Sequence, residues 1–336
     1  MVAVESDSRG RLSGIVARHP LVSFFVIAYG VSWLVWSQFV LSQDGSGWFG
    51  FHATWPFMAT IGIGTFGPAV AAVIVIGVAE GEGALIAFLK RIVMWRVGFR
   101  WWAFALLGFP VTATIGCLLM PGVASSITTE GLDRSLTDYL PFLLYPTLLV
   151  GGPLGEELGW RGFALPRLQQ RFVPLVATVV MGLLWTCWHA PIWFSNNWSV
   201  LNVQNVLCYS LFLVLASFQF TWASNHTGGS ILIAVILHAS MDAFPNVVLF
   251  PMFPALGETT SFGVQKLYLA LIIGFGLFAV AVTVATKGRL GLPAGVNPPG
   301  APEVTGASDH SDGRSPATAD GPSATFEGGG VADPVA

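Results

Sequence analysis

Six ionisable side chains fall inside long apolar runs of this chain: Glu156, Glu157, Arg161, His189, His238 and Asp242. An ionised side chain at bilayer depth costs about 3 kcal/mol or more unless it is paired or faces a wet cavity. A chain that keeps six of them there puts them to use. The first three lie in the stretch from Gly151 to Arg171, GGPLGEELGWRGFALPRLQQR. Helical spacing sorts them. Glu157 and Arg161 are i,i+4 and face one another one turn apart, and His238 and Asp242 repeat that relation. Glu156 points about 100° away from Glu157, so the two carboxylates cannot share one role equally. The simplest division gives Glu157 to Arg161 as an ion pair and leaves Glu156 facing the bundle interior as a base. His189 and His238 would then hold or polarise a water or a substrate carbonyl, with Asp242 orienting His238 or joining the site directly. A glutamate-activated water attacking a carbonyl is the chemistry of peptide-bond hydrolysis.

Each of these residues also has a plainer reading. Glu157 and Arg161 serve as well as a staple on one helix. His189, in WTCWHAP before Pro191, suits a helix end where a histidine hydrogen-bonds a neighbour. Tryptophans 160, 185, 188, 193 and 198 read as packing and interface anchors rather than a substrate box. His226 reads as a solvated turn residue, and His52 has no assigned role. The pair His238 and Asp242 is harder to explain away, because two buried polar groups on one helix face call for a partner.

The elements that must position these groups are membrane helices. Of 336 residues, 54% are hydrophobic and 10% charged, against about 25% charged in soluble domains. The chain is therefore expected to be all-α, a polytopic bundle of about eight transmembrane helices. The spans are Leu21–Leu41, Trp55–Val78, Trp101–Met120, Leu140–Phe163, Pro174–Phe194, Val206–Ala223, Ile231–Phe250 and Val264–Ala285, each near the ~20 residues a helix needs to cross a bilayer. The first is too long for a signal-peptide core and lacks a small-x-small cleavage site, so it reads as a retained helix. Gly62, Gly64, Gly67 and Pro68 in the second allow close helix approach. Between the second and third, Leu85, Ile86, Leu89, Ile92 and Val93 recur at helical spacing beside Lys90, Arg91 and Arg96. That pattern describes an interfacial amphipathic helix.

With eight spans, thirteen of the fifteen Lys and Arg residues fall on one side and only Arg134 and Lys266 on the other. The positive-inside rule then places both termini in the cytoplasm. The organisation expected is a cytoplasmic segment over 1–20, a transmembrane domain over 21–286 with its core at about 140–250, and a tail over 287–336. That tail is rich in Pro, Gly, Ala, Ser and Asp and reads as disordered. It also holds a third of the acids, so the net charge of −3 says little about the membrane part. The three cysteines, Cys117, Cys187 and Cys208, sit in apolar runs and form no disulfide framework or zinc-ribbon spacing. No basic patch suggests nucleic acid; the expected partners are membrane lipid and a peptide or protein substrate.

EELGWRG fits an EExxxR motif, WTCWH an aromatic-xxx-His motif and HASMD an HxxxN/D motif. Together and in this order they resemble the CPBP family of intramembrane proteases, the group of CAAX proteases and bacteriocin-processing enzymes that includes the Ras-converting CAAX endopeptidases. The similarity covers roughly Phe142 to Phe250. It implies that Glu156 activates water, that Glu157 and Arg161 support it, that His189 is the second-motif histidine, and that His238 and Asp242 stabilise the oxyanion. Trp185 stands where phenylalanine is commoner, a change expected to be harmless. Asp242 stands where the CAAX endopeptidases carry asparagine, and an ionised aspartate cannot donate to an oxyanion. Asp242 would have to be protonated, bind a metal or orient His238. Members are commonly called metalloproteases. A divalent ion such as Zn2+ held by Glu156, His189 and His238, with or without Asp242, is one option; a metal-free mechanism is the other.

The function expected is that of a membrane-embedded peptidase in a prokaryotic plasma membrane, with the substrate left open. Its rivals are a proton-coupled transporter, which would also line a bundle with carboxylates and histidines, and a non-catalytic scaffold or immunity protein. One mismatch stands in the span edges themselves. They put Glu156 near the cytoplasmic end of its helix and His189 near the far end of the next, so helices must be long and tilted or edges must move by a turn or two.

Overall fold

A computed structural model describes residues 13–129, 133, 137–145, 152–195, 202–256 and 261–302. Gly151, Trp198, Arg134, most of the N-terminal segment and the tail beyond Pro302 lie outside them. Among the described residues every regular element is helical. In order these are α1 (Pro20–Val40), α2 (Phe57–Gly64), α3 (Gly67–Ala79), α4 (Glu82–Lys90), α5 (Phe99–Leu119) and α6 (Tyr139–Tyr145). The chain continues as α7 (Gly152–Gly159), a π-helical turn (Trp160–Ala164) and α8 (Leu165–Gln169) in one rod, then α9 (Pro174–Trp188) and α10 (Val203–His226). Last come α11 (Ile231–Phe244), which runs through a second π-helical turn (Pro245–Leu249) into α12 (Phe250–Met252), and α13 (Ser261–Thr286).

Six helices among the described residues are long and apolar enough to cross a membrane: Pro20–Val40, Met58–Ala79, Phe99–Leu119, Val203–His226, Ile231–Met252 and Gln265–Thr286. This is a multi-pass membrane protein. The other two expected spans correspond to the α6–α8 region and to α9, an apolar helix of 15 residues. Both carry or adjoin site residues. The amphipathic segment forms α4 with Phe88 buried.

In lipid every backbone carbonyl must find a donor, and three prolines show how this bundle meets that demand. A proline inside a helix lacks the N–H that would serve the carbonyl four residues earlier. Pro68 frees the Gly64 carbonyl, which accepts from Ser32 Oγ on α1 at 2.7 Å. Pro110 frees that of Leu106, which accepts from Tyr139 Oη at 3.0 Å and Ser240 Oγ at 3.2 Å. Pro166 frees that of Gly162, which accepts from Arg91 Nη1 at 2.8 Å. Each kink is thereby a tie to another element. The second tie fixes α11 beside α5 and α6, and the third locks the end of α4 onto the α7–α8 rod, where Arg91 Nε also reaches the Gly229 carbonyl at 2.9 Å.

Glycines set the closest approaches. Gly155 and Gly159 lie on one face of α7, against the break between α2 and α3. A Cβ on Gly155 would stand 2.6 Å from the Thr65 carbonyl oxygen, and one on Gly159 would press into Pro68. Two of the glycines expected to permit close packing in the second span do so toward α1: Gly64 abuts Trp36 and Gly67 abuts Ser32.

Two expectations about chain boundaries are corrected here. The rod that carries Glu156 does not end at Phe163 but continues to Gln169. Arg167, which lies beyond that expected span end, is buried. It pairs with Glu80, donates to the Phe163 carbonyl at 3.0 Å and lies over the Phe163 ring, so its charge does not stop the helix. Likewise residues 288–302 are not loose. Leu290 and Leu292 are buried, the Leu290 carbonyl accepts from Asn225 Nδ2 at 2.9 Å, and the Gly288 carbonyl accepts from the Leu175 N–H at 3.1 Å. Two leucines in a Gly/Pro-rich stretch are enough to seat it.

Candidate active site

The corrected rod resolves the mismatch of depth. Glu156 stands 13 residues before Gln169, and His189 stands 15 residues after Pro174. At ~1.5 Å per residue both lie about 20 Å from the turn joining α8 to α9. They therefore meet at one level. Glu156, His189, His238 and Asp242 all border a single cavity of about 410 Å³. Its walls are otherwise mostly apolar, with Met58, Phe109, Phe142, Phe212, Leu267 and Leu271 among them.

The two adjacent carboxylates have different partners, as their angular separation requires. Oε1 of Glu157 accepts from Arg161 Nη1 at 2.7 Å and from His238 Nδ1 at 2.7 Å. Glu157 is fully buried, and it does not border the cavity. Arg161 is buried with it, its guanidinium lying 3.8 Å from the Phe220 ring centroid and 4.4 Å from that of Trp185. Glu157 is thus more than the partner of Arg161: it is also what orients His238. Because His238 gives Nδ1 to that carboxylate, its Nε2 edge is left for the cavity.

Glu156 borders the cavity, and its Oε2 accepts from two indoles: Trp185 Nε1 at 2.7 Å and Trp160 Nε1 at 3.3 Å. The reading of these tryptophans as packing and interface anchors missed this. The signal available in the sequence was a Trp four residues after Glu156, since i,i+4 puts its ring over that carboxylate. Trp185 left no local signal, being 29 residues away. His189 donates Nδ1–H to the Trp185 carbonyl at 2.8 Å, which leaves Nε2 as its free nitrogen. Asp242 Oδ1 lies 3.8 Å from His238 Nε2, too far for a hydrogen bond. Its side chain is 40% exposed, so of the site residues it is the one most open to an incoming group. Tyr209, also unread in the sequence, lines the cavity with its ring 5.5 Å from that of His189.

Among the described residues no three His, Cys, Asp or Glu groups are gathered as a metal-holding set. Glu156, His189 and His238 share the cavity but do not form a ready ligand shell, and Oε2 of Glu156 is already taken by two N–H donors.

Fold and site together define a multi-pass membrane protein with a carboxylate–imidazole centre inside its helical bundle. Residues 138–244 match the family model described as type II CAAX prenyl endopeptidase Rce1-like. The CAAX prenyl protease 2 of Methanococcus maripaludis is 30% identical over 158 residues, 45% of this chain and 56% of the relative. The match therefore spans little more than half the length of that relative. Over the segment that carries all three motifs, this chain is similar to CAAX prenyl endopeptidases of the Rce1-like type.

Proposed function

We propose that this protein is an intramembrane endopeptidase in which Glu156 activates the attacking water. The observation that carries this reading is the convergence of Glu156, His189, His238 and Asp242 on one cavity, in a segment similar to CAAX prenyl endopeptidases. Glu156 takes a proton from water as the oxygen attacks the scissile carbonyl, then returns it to the leaving amine. His238, doubly protonated, with Nδ1–H held by Glu157, donates its Nε2–H to the developing oxyanion. His189 Nε2 accepts from the same water and holds it in line. Asp242, 3.8 Å from His238 Nε2 and open to the cavity, keeps the cavity side of His238 polar.

The apolar walls suit a peptide carrying a lipid or a run of apolar side chains next to the scissile bond. The charge distribution supports opening toward the cytoplasm. The test is turnover of internally quenched peptides, one farnesylated on a C-terminal CAAX box and one unprenylated, by the full chain in liposomes. Wild type is expected to cleave at least one, and Glu156→Gln to abolish cleavage while its thermal unfolding midpoint is kept. Undiminished cleavage by Glu156→Gln would end the proposal.

A further inference from the structure

Trp185 touches all three motifs. Its indole N–H is bonded to Glu156 at 2.7 Å, and its carbonyl holds His189 at 2.8 Å. Its ring carries the Arg161 guanidinium on one side and meets the His238 ring edge-on at 5.4 Å. The ring is almost entirely buried. Phenylalanine would fill most of the same space and offer no donor. A second indole, Trp160, donates to the same carboxylate oxygen at 3.3 Å, so both donors converge on Oε2.

We infer that Trp185, seconded by Trp160, is a positioning residue for the proposed hydrolysis: the two indole N–H groups clamp Oε2 of Glu156, fix its rotamer and leave Oε1 as the oxygen that meets water. A buried carboxylate needs donors to stay in place, and these two turn that need into orientation. The clamp also sets the register of α7 against α9, because the residue that holds Glu156 by its side chain holds His189 by its backbone. The catalytic meaning of the clamp rests on the hydrolytic reading given above, but the hydrogen bonds do not.

The experiment has two readouts on full-length protein in detergent micelles, with indole nitrogens labelled for NMR. The resonances of Trp160 and Trp185, among 13 indoles, are assigned by their loss in Trp160→Phe and Trp185→Phe. Both are expected to move upfield in Glu156→Gln, that of Trp185 further, while the exposed Trp48 stays put. On whichever quenched peptide the wild type cleaves, Trp185→Phe should lower kcat by roughly ten- to hundredfold, and KM should stay within about twofold. Trp160→Phe should do the same to a smaller degree. If Trp185→Phe does not fold, Trp160→Phe and Glu156→Gln still decide the clamp through the assigned Trp160 N–H. Unmoved indole resonances in Glu156→Gln would overturn the clamp, as would a Trp185→Phe enzyme with unchanged kcat. Should neither peptide be cleaved by wild type, the hydrolytic reading fails while the resonances alone decide the clamp.

Discussion

The losses from removing the charge of Glu157 and of Arg161 singly should sum to far more than the loss when both are removed together. Their charged atoms are 2.7 Å apart, and both side chains are almost wholly buried. At an effective dielectric of about 20 that separation is worth about 6 kcal/mol of gross attraction, against a desolvation cost of several kcal/mol per ion. The net value of the pair is small, but stranding either ion is not. Arg161→Met leaves Glu157 with His238 alone at 2.7 Å. Glu157→Gln leaves the guanidinium without its directly bonded anion, against a neutral amide oxygen and the faces of Trp185 and Phe220. Each single variant is expected to lose about 3–5 kcal/mol. The double variant Glu157→Gln/Arg161→Met should be no worse than the worse single one, a coupling of about 3 kcal/mol or more. Reversible unfolding of all four proteins in mixed micelles gives the cycle directly. Single losses below about 1 kcal/mol, or additivity within about 0.5 kcal/mol, would refute the account of a buried pair shared with His238.

Three further outcomes follow from the packing. Gly159→Leu would drive a side chain into Pro68 and should cost about 1–3 kcal/mol or more, whereas Gly77→Ala, facing open space, should be neutral or stabilising by up to about 1 kcal/mol; paired unfolding midpoints check this. Leu290→Ala should lose about 2–4 kcal/mol, a cost that a disordered tail could not show in the same assay. Arg91→Ala should cost about 2–4 kcal/mol by stripping the donor from the Gly162 and Gly229 carbonyls. Burial first, and then the nearby Arg167, lower Arg91 to about 10. A base lowered on folding gains stability only as pH rises through that value. The guanidinium is thus charged throughout about pH 5–9, and the Arg91→Ala loss should be flat across it; unfolding measured at both ends of that range decides.

Much of the fold was legible because the signals are local. A lipid-spanning helix announces itself in about 20 consecutive residues, and an ionisable group inside one stands out against its neighbours. Helical period alone set Glu157 against Arg161 and turned Glu156 away from Glu157, and the structure gives the two carboxylates separate partners. The helix edges were less legible. A count of apolar residues stops a span at its first charges, yet Arg167 enters the bundle because Glu80, 87 residues away in sequence, meets it there.

The sequence by itself determined the class of protein, the helical architecture and the short list of groups able to do chemistry, because residue type and a 3.6-residue period are properties of neighbours along the chain. Tertiary structure alone decided that Glu156 and His189 lie at one level and that Trp185 is a donor rather than filler. It also decided which side chains answer the carbonyls that Pro68, Pro110 and Pro166 leave open. Those partners stand 32 to 134 residues away. A carbonyl buried from water accepts whichever donor the packing delivers, and no local pattern names that donor in advance.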